Sequence, residues 1–349
     1  MYKVYLTDNT LTGHHKVYLD TLLHVKNTIN FSYCTEFENN KKKLGYILDR
    51  KRFVQDIVEK IKSDKFQGQK VLHLLYLDNL YTLPFFLIKN NSISIKVVGT
   101  LHHMPQNKVK MALLKICSKK LDRIIVHSDY IKEQLLLEGI KNVEVVDYPS
   151  FYDYSIYPSK EKIKNNWNIS NEKIIFSVLG GTRFDKGIDI LLESFKYLNQ
   201  NHKDEILLNI VGKEETFDKK FIMRKIEQFK INARVELGFV DDEDFAKNVL
   251  ISDYIVLPYR MIFTGNSGPM TEAIVNKIPV ITPNFGNLGY LTEKYHLGEV
   301  FKIEDCQSLA LTLERCLQNK QYDYEDYWER LNVSHFNSRY NEIYNTLFK

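Results

Sequence analysis

The stretch FSVLGGTRFDKG, residues 176–187, runs from apolar, strand-forming residues into two adjacent glycines, then an Arg and a Lys three positions apart, then a third glycine. Gly180 and Gly181 let the backbone turn tightly and approach a ligand. A helix expected from about Lys186 to Leu198, with Ile190, Leu191, Phe195 and Leu198 on one face, turns its unpaired N–H groups toward the same point. Arg183 and Lys186 add formal charge to that helix end, a combination suited to a diphosphate. A plain strand-to-helix turn with two surface cations is the alternative. The phosphate loop of nucleoside triphosphatases is excluded, because there the Lys follows a Gly and precedes Ser or Thr, whereas Lys186 precedes Gly187. The dinucleotide fingerprint is excluded as well, since its glycines are separated and these two are adjacent.

Outward from this stretch, short β-branched and aromatic runs alternate with segments of helical spacing, the pattern of parallel α/β layers. In the first half the runs are 3–8, 28–34, 70–77, 94–101, 123–128 and 142–149. In the second they are 173–180, 205–212, 234–240, 253–259 and 278–283. A polar, turn-rich segment around Pro158 separates the two sets. The 349 residues therefore divide into an N-terminal domain over 1–165, a second domain over 166–325, and closing helices over 326–349 that pack back on the first. The opening stretch becomes the first strand and turn of the second domain, at the end of the sheet where open α/β folds bind ligands.

Composition is that of an ordinary globular protein, 44% hydrophobic and 26% charged. The net charge of +4 conceals an asymmetry: 23 Lys and Arg face 15 Asp and Glu in residues 1–150, against 25 and 29 in the remainder. An anionic partner would thus meet the first half. Cys34, Cys117, Cys306 and Cys316 lack CxxC spacing, so neither a zinc site nor a disulfide framework is expected and a cytoplasmic location fits. No signal peptide is evident, and the apolar run 71–88 is broken by His73, Asp78, Asn79 and Pro84, as suits a strand and short helix rather than a membrane span.

A second segment, YIVLPYRMIFTGNSGPMTEAIVNKIPVITPNFG (254–286), repeats the arrangement of the first. A strand ends at Pro258, a loop with Gly265, Asn266, Ser267 and Gly268 follows, and a short helix carries Glu272. Small residues admit an anion to backbone N–H groups, and a Glu one turn into the helix can accept hydrogen bonds from vicinal hydroxyls such as a ribose's. Glu272 also fits as a surface carboxylate favoured by the helix dipole.

Taken together, GGTRFDKG, VGK (211–213), LGFVDDED (237–244), SDYIVLPYR (252–260), SGPMTEA (267–273) and PVI (279–281) resemble the donor half of retaining glycosyltransferases of the family-4 type. The resemblance implies an α/β fold of two Rossmann-like domains whose parallel sheets face across a cleft (GT-B), and a nucleotide-diphosphate sugar as donor. It also implies that Arg183 and Lys186 neutralise the diphosphate, Glu272 holds the ribose, Ser267 and Gly268 contact phosphate or sugar, and the backbone at Val240 lines the base. Gly181 and Thr182 belong to the same donor loop. Many members carry a Glu eight positions before the second one, where this chain has Thr264, so donor-sugar recognition there falls to a hydroxyl or to backbone groups.

The first half supplies the acceptor side in this resemblance. VVGTLHHMP (97–105) ends a strand with two histidines, and His102 matches the family's histidine near the reacting sugar carbon. Its titration near neutrality would let it accept a hydroxyl hydrogen bond or donate to a developing charge. The loop DNTLTGHHK (8–16) matches a glycine-bearing loop beside the donor phosphates, with Gly13 as the close-approach residue and weaker claims for His14 and His15. PQNKVKMALLKICSKKLDR (105–123), as a helix, sets Lys108, Lys115 and Lys119 on one side and Val109, Leu113, Ile116 and Cys117 on the other. That basic side is either a solvated face or a surface for anionic lipid headgroups or a lipid-linked acceptor, at the inner face of a cell membrane. DDED (241–244) reads as acidic helix capping rather than a metal motif, so neither metal nor cofactor is expected, and nothing points to nucleic acid. The resemblance implies a saccharide or lipid-linked acceptor and metal-independent transfer in surface polysaccharide or glycolipid assembly. A nucleotide-sugar epimerase, or a catalytically silent partner protein, shares the same features.

Overall fold

A computed structural model describes residues 1–8, 14–30, 43–82, 95–318 and 320–349; Gly13 and Cys34 lie outside them. The chain forms two compact units, Met1–Tyr148 with Val333–Lys349, and Pro149–Asn332. The expected boundary at 165 therefore moves to 148. The reason is packing: Lys160 pairs with Asp253 at 2.6 Å, and Ile163 is buried with Ile175, Leu207 and Ile251. The closing segment likewise divides, because a 3-10 turn over Tyr324–Leu331 packs on the second unit while the helix Val333–Thr346 packs on the first.

In the first unit, β1 (Tyr2–Thr7), β2 (Thr28–Asn30), β3 (Gln69–Leu74), β4 (Ile95–Thr100), β5 (Arg123–Val126) and β6 (Val143–Val145) form one parallel sheet in the order β2-β1-β3-β4-β5-β6. Alternate residues serve opposite faces, as the two-residue strand period requires. Tyr5, Leu72, Ile124 and Val126 meet the helices Lys43–Ser63, Lys108–Ser118 and Asp129–Leu137. Val4, Leu6, Val71, Val98 and Ile125 meet the helix His14–Leu22 and the final helix. A buried polar chain fastens that final helix: Tyr344 Oη lies 2.7 Å from His73 Nδ1, and His73 Nε2 lies 2.8 Å from Thr100 Oγ1. Burial holds His73 far down the scale, at about 3, so it is neutral in this chain of bonds.

The second unit contains β7 (Ile174–Leu179), β8 (Ile206–Gly212), β9 (Ala233–Leu237), β10 (Tyr254–Val256), β11 (Val280–Pro283) and β12 (Gly298–Phe301), parallel and ordered β12-β11-β10-β7-β8-β9. β12 carries too short an apolar run to stand out in the sequence. The strand order reverses between β7 and β10, which makes the carboxyl ends of these strands the switch point at which open α/β sheets bind ligands. The loops leaving those ends are the two segments singled out above.

Close backbone approach sets the two loops against each other. Gly187 has φ +64°, and a Cβ built on it would lie 2.0 Å from the Pro258 carbonyl oxygen, so the two loops touch where only a glycine fits. No helix among the described residues is long and apolar enough to cross a membrane. We expect Gly187→Ala to lower the unfolding free energy by roughly 2–4 kcal/mol, through left-handed strain and the clash with Pro258, read as a shift in the urea midpoint.

Candidate donor site

The loop after β7 is held from three directions. Gly180 donates its N–H to Val211 O at 2.9 Å, and its own carbonyl abuts Gly212 of the neighbouring strand. Thr182 is buried, and its hydroxyl donates to Phe217 O at 2.7 Å and accepts from Glu215 N at 2.8 Å. Its hydroxyl is therefore engaged in fixing the loop. From the loop after β10, Arg260 donates to both Asp189 oxygens (3.0 and 2.6 Å) and to Phe184 O (2.6 Å), with its guanidinium 3.9 Å from the Phe184 ring centroid. Arg260 is a residue the sequence reading did not single out.

The expected long helix is shorter, Ile188–Ser194, with a 3-10 turn at Phe184–Lys186 before it and another at Phe195–Tyr197 after it. Gly187 in the left-handed conformation separates the helix from the first turn. That turn sends the two cations to different partners. Arg183 is half-exposed and pairs bidentately with Asp185 at 2.9 and 2.7 Å, which lowers the Asp185 carboxyl and raises the guanidinium. Lys186 turns inward: its Nζ donates to Tyr259 Oη at 2.5 Å and sits 3.8 Å from the Tyr259 ring centroid and 4.8 Å from that of Phe263. Such stacking of an ammonium on aromatic faces contributes about 0.5–2 kcal/mol.

Tyr259 is almost fully buried and carries the arrangement onward, its hydroxyl lying 3.0 Å from Ser267 Oγ. Ser267 caps the helix Gly268–Val275, accepting from Met270 N at 3.4 Å. Lys186, Tyr259, Ser267 and that helix N-terminus thus form one connected array at the switch point. Gly268 is exposed at the helix start. Thr264 is half-buried in the preceding loop. Beside it, Asn266 Oδ1 accepts from Asn287 Nδ2 at 2.7 Å, while the buried Asn287 Oδ1 has no partner among the described residues.

Glu272 sits one turn inside the same helix and is buried, not on the surface. Its Oε2 accepts from Ser150 Oγ at 2.6 Å and from Tyr154 Oη at 3.0 Å. Burial pushes its pKa up to about 7, against the lowering effect of those two bonds. Val240 is partly buried against the hydrophobic cluster beneath this helix, whereas the neighbouring Phe239 is 95% exposed after β9. Asp241 caps the following helix, accepting from Asp244 N at 2.8 Å, and no cluster among the described residues could hold a metal ion.

In the first unit, His102 lies at the end of β4 with little exposure. Its Nε2–H donates to Leu75 O at 2.9 Å, its ring stacks on Tyr76 at 4.0 Å, and Asp78 accepts from its backbone N–H and that of His103. Burial lowers its pKa to about 3, so it does not titrate near neutrality as expected; desolvation of the imidazolium outweighs the carbonyl bond. His15 stacks on Tyr76 at 3.6 Å and bonds Asp8 at 2.9 Å through Nδ1. Asp8, His15, Tyr76 and His102 gather at the carboxyl end of this sheet. Gly13, and the side chain of His14, fall outside the described residues.

Two parallel α/β units, the second with its strand order reversing beside a cationic loop and a capped helix end, define the GT-B architecture of glycosyltransferases. Residues 159–330 match the family described as glycosyl transferases group 1, and this match supports a glycosyltransferase. Among solved structures, sucrose-phosphate synthase from Thermosynechococcus elongatus superposes with a TM-score of 0.70 at 14% identity, covering 100% of this chain and 99% of that one. Anabaena HepE in complex with UDP gives 0.71 at 13%, covering 99% and 100%, and a glycosyltransferase from Rickettsia africae gives 0.67 at 16%, covering 100% and 99%. No curated protein sequence matches the chain.

Because Glu272 holds its proton more tightly folded than unfolded, its contribution to stability is present below the unfolded value and is lost as pH rises to about 7. Wild-type protein should therefore lose up to about 3 kcal/mol between about pH 4.5 and 7 from this group, and Glu272→Gln should flatten that part of a denaturation profile.

Proposed function

We propose that the protein is a retaining glycosyltransferase that moves a sugar from a nucleotide-diphosphate sugar to an acceptor hydroxyl in surface polysaccharide or glycolipid assembly. The observation that carries the donor assignment is the array of Lys186, Tyr259, Ser267 and the helix N-terminus, which gathers a cation, a hydroxyl and unpaired N–H groups at the switch point. HepE structures hold UDP and UDP-glucose, which supports a nucleotide-sugar donor. In this proposal Lys186 and Arg183 face the growing negative charge as the diphosphate leaves, and no metal ion is assigned to that task. Arg183 reaches the phosphates by exchanging or sharing its bond to Asp185.

Glu272 accepts the ribose hydroxyls, with Ser150 and Tyr154 fixing the carboxylate. Gly181 and Gly268 give the diphosphate close access to the backbone, and Val240 borders the base. Thr264 and the unpartnered Asn287 Oδ1 address the sugar in place of the usual carboxylate. The first unit serves the acceptor, where His102, kept neutral, acts as a fixed hydrogen-bonding ring rather than as an acid. The acceptor oxygen forms the new bond to the anomeric carbon on the face from which the diphosphate departs. The leaving phosphate oxygen takes the hydroxyl proton.

Arg183→Ala and Lys186→Ala are each expected to lower transfer by about 10²-fold or more while shifting stability by under about 2 kcal/mol. The donor is found by measuring thermal stabilisation with UDP- and GDP-sugars. Near-normal transfer by both variants with that donor would remove the assignment. Ribose hydroxyls that donate to Glu272 favour its charged form, so nucleotide binding should release a proton just below neutral pH, and Glu272→Gln should abolish the release. Calorimetry in buffers of different ionisation enthalpy reads it directly.

A further inference from the structure

We propose that the outer face of the helix Lys108–Ser118, with the end of the helix Asp129–Leu137 beside it, docks on an anionic lipid surface. The first helix is apolar on two sides. Leu114 and Cys117 face the core, as they must, but Val109 and Ile116 do not join them: Val109 is 71% exposed, Ile116 is 43% exposed, and the exposed Ala112 lies between them on the same stripe. This corrects the expectation that Val109 and Ile116 pack inward with Cys117, since residues seven apart share a face and that face is turned to solvent. A solvent-facing helix side is ordinarily polar, so an outward apolar stripe calls for a partner.

The neighbouring helix extends the stripe. Its last residues, Leu136 and Leu137, are 42% and 80% exposed, and the two helices are joined at that point by Lys115 and Glu138 at 2.5 Å. The character of the partner follows from the charges. Lys108, Lys115 and Lys119 flank the apolar stripe along one side, and no acidic residue occurs from Pro105 to Leu121. Lys115 is engaged by Glu138, while Lys108 and Lys119 are exposed. Apolar residues that insert shallowly beside lysines that remain at the headgroup level are the pattern of an interfacial helix on an anionic membrane. A protein face of acidic character would accept the lysines but would leave Val109, Ile116 and Leu137 against a polar surface. The surface lies wholly in the first unit and involves none of the residues assigned to the donor, so it stands or falls apart from the proposed reaction.

The test uses the full chain and sealed vesicles of phosphatidylcholine, with or without phosphatidylglycerol, in flotation at low and high salt. Wild-type protein should float with the phosphatidylglycerol vesicles at low salt and not with phosphatidylcholine alone. Lys108→Ser with Lys119→Ser should weaken partition by about fivefold per lysine. Val109→Asp with Ile116→Asp should weaken it at least about tenfold with an unchanged melting curve, since both positions are exposed. Failure of the wild type to float, or flotation of the Val109→Asp/Ile116→Asp protein equal to wild type, would overturn the proposal. So would concentration-dependent dimerisation, lost in that variant, without vesicle binding, which would assign the stripe to a second copy of the chain.

Discussion

The ion pair between Arg260 and Asp189 joins the two loops that diverge at the switch point of the second sheet. Parallel strands leave this junction open by topology, because neighbouring connections run to opposite faces. Nothing in the sheet itself would then fix the distance between the loops. The bidentate pair does so, helped by the guanidinium on Phe184 and by Gly187 lying against Pro258. Once the loops are fixed, Lys186 can reach Tyr259, and Tyr259 can reach the cap of the next helix. A planar guanidinium suits the task better than an ammonium, because two parallel bonds hold an angle as well as a distance.

The same array explains how Lys186 is held in place by a hydroxyl and two aromatic faces. Aromatic faces and a hydroxyl stabilise the ammonium without cancelling its charge, so the cation remains available to an arriving anion. Arg183 is held differently. Its charge is balanced by Asp185, and its exposure lets it move. One cation is positioned and the other is adjustable, a division that suits the proposed departure of a diphosphate.

Much of the architecture was legible in the sequence because parallel strands are buried on both faces and appear as continuous apolar runs. The loop residues at the ends of β7 and β10 stood out for a similar reason: glycines and cations interrupt those runs abruptly. Features made by contact between distant segments leave no such mark. Tyr259 lies 73 positions from Lys186, and Arg260 lies 71 from Asp189, so neither pairing leaves a local signature. Ser150 and Tyr154 lie in or beside the polar segment between the two sets of strands, and nothing local marks them as partners of Glu272. The helix Lys108–Ser118 has apolar residues on both its buried and its exposed sides, and periodicity cannot then say which apolar side faces the core.

The placement of the final helix affects how the protein is made. The second unit is a continuous stretch of chain and has all of its residues once synthesis passes Asn332. The first unit begins earlier but lacks the helix that covers one face of its sheet, and His73 lacks its tyrosine, until residues 333–349 emerge. Synthesis from the amino end therefore completes the two units in the reverse of their order of appearance, with the earlier one lacking part of the cover on one face of its sheet while the later one folds.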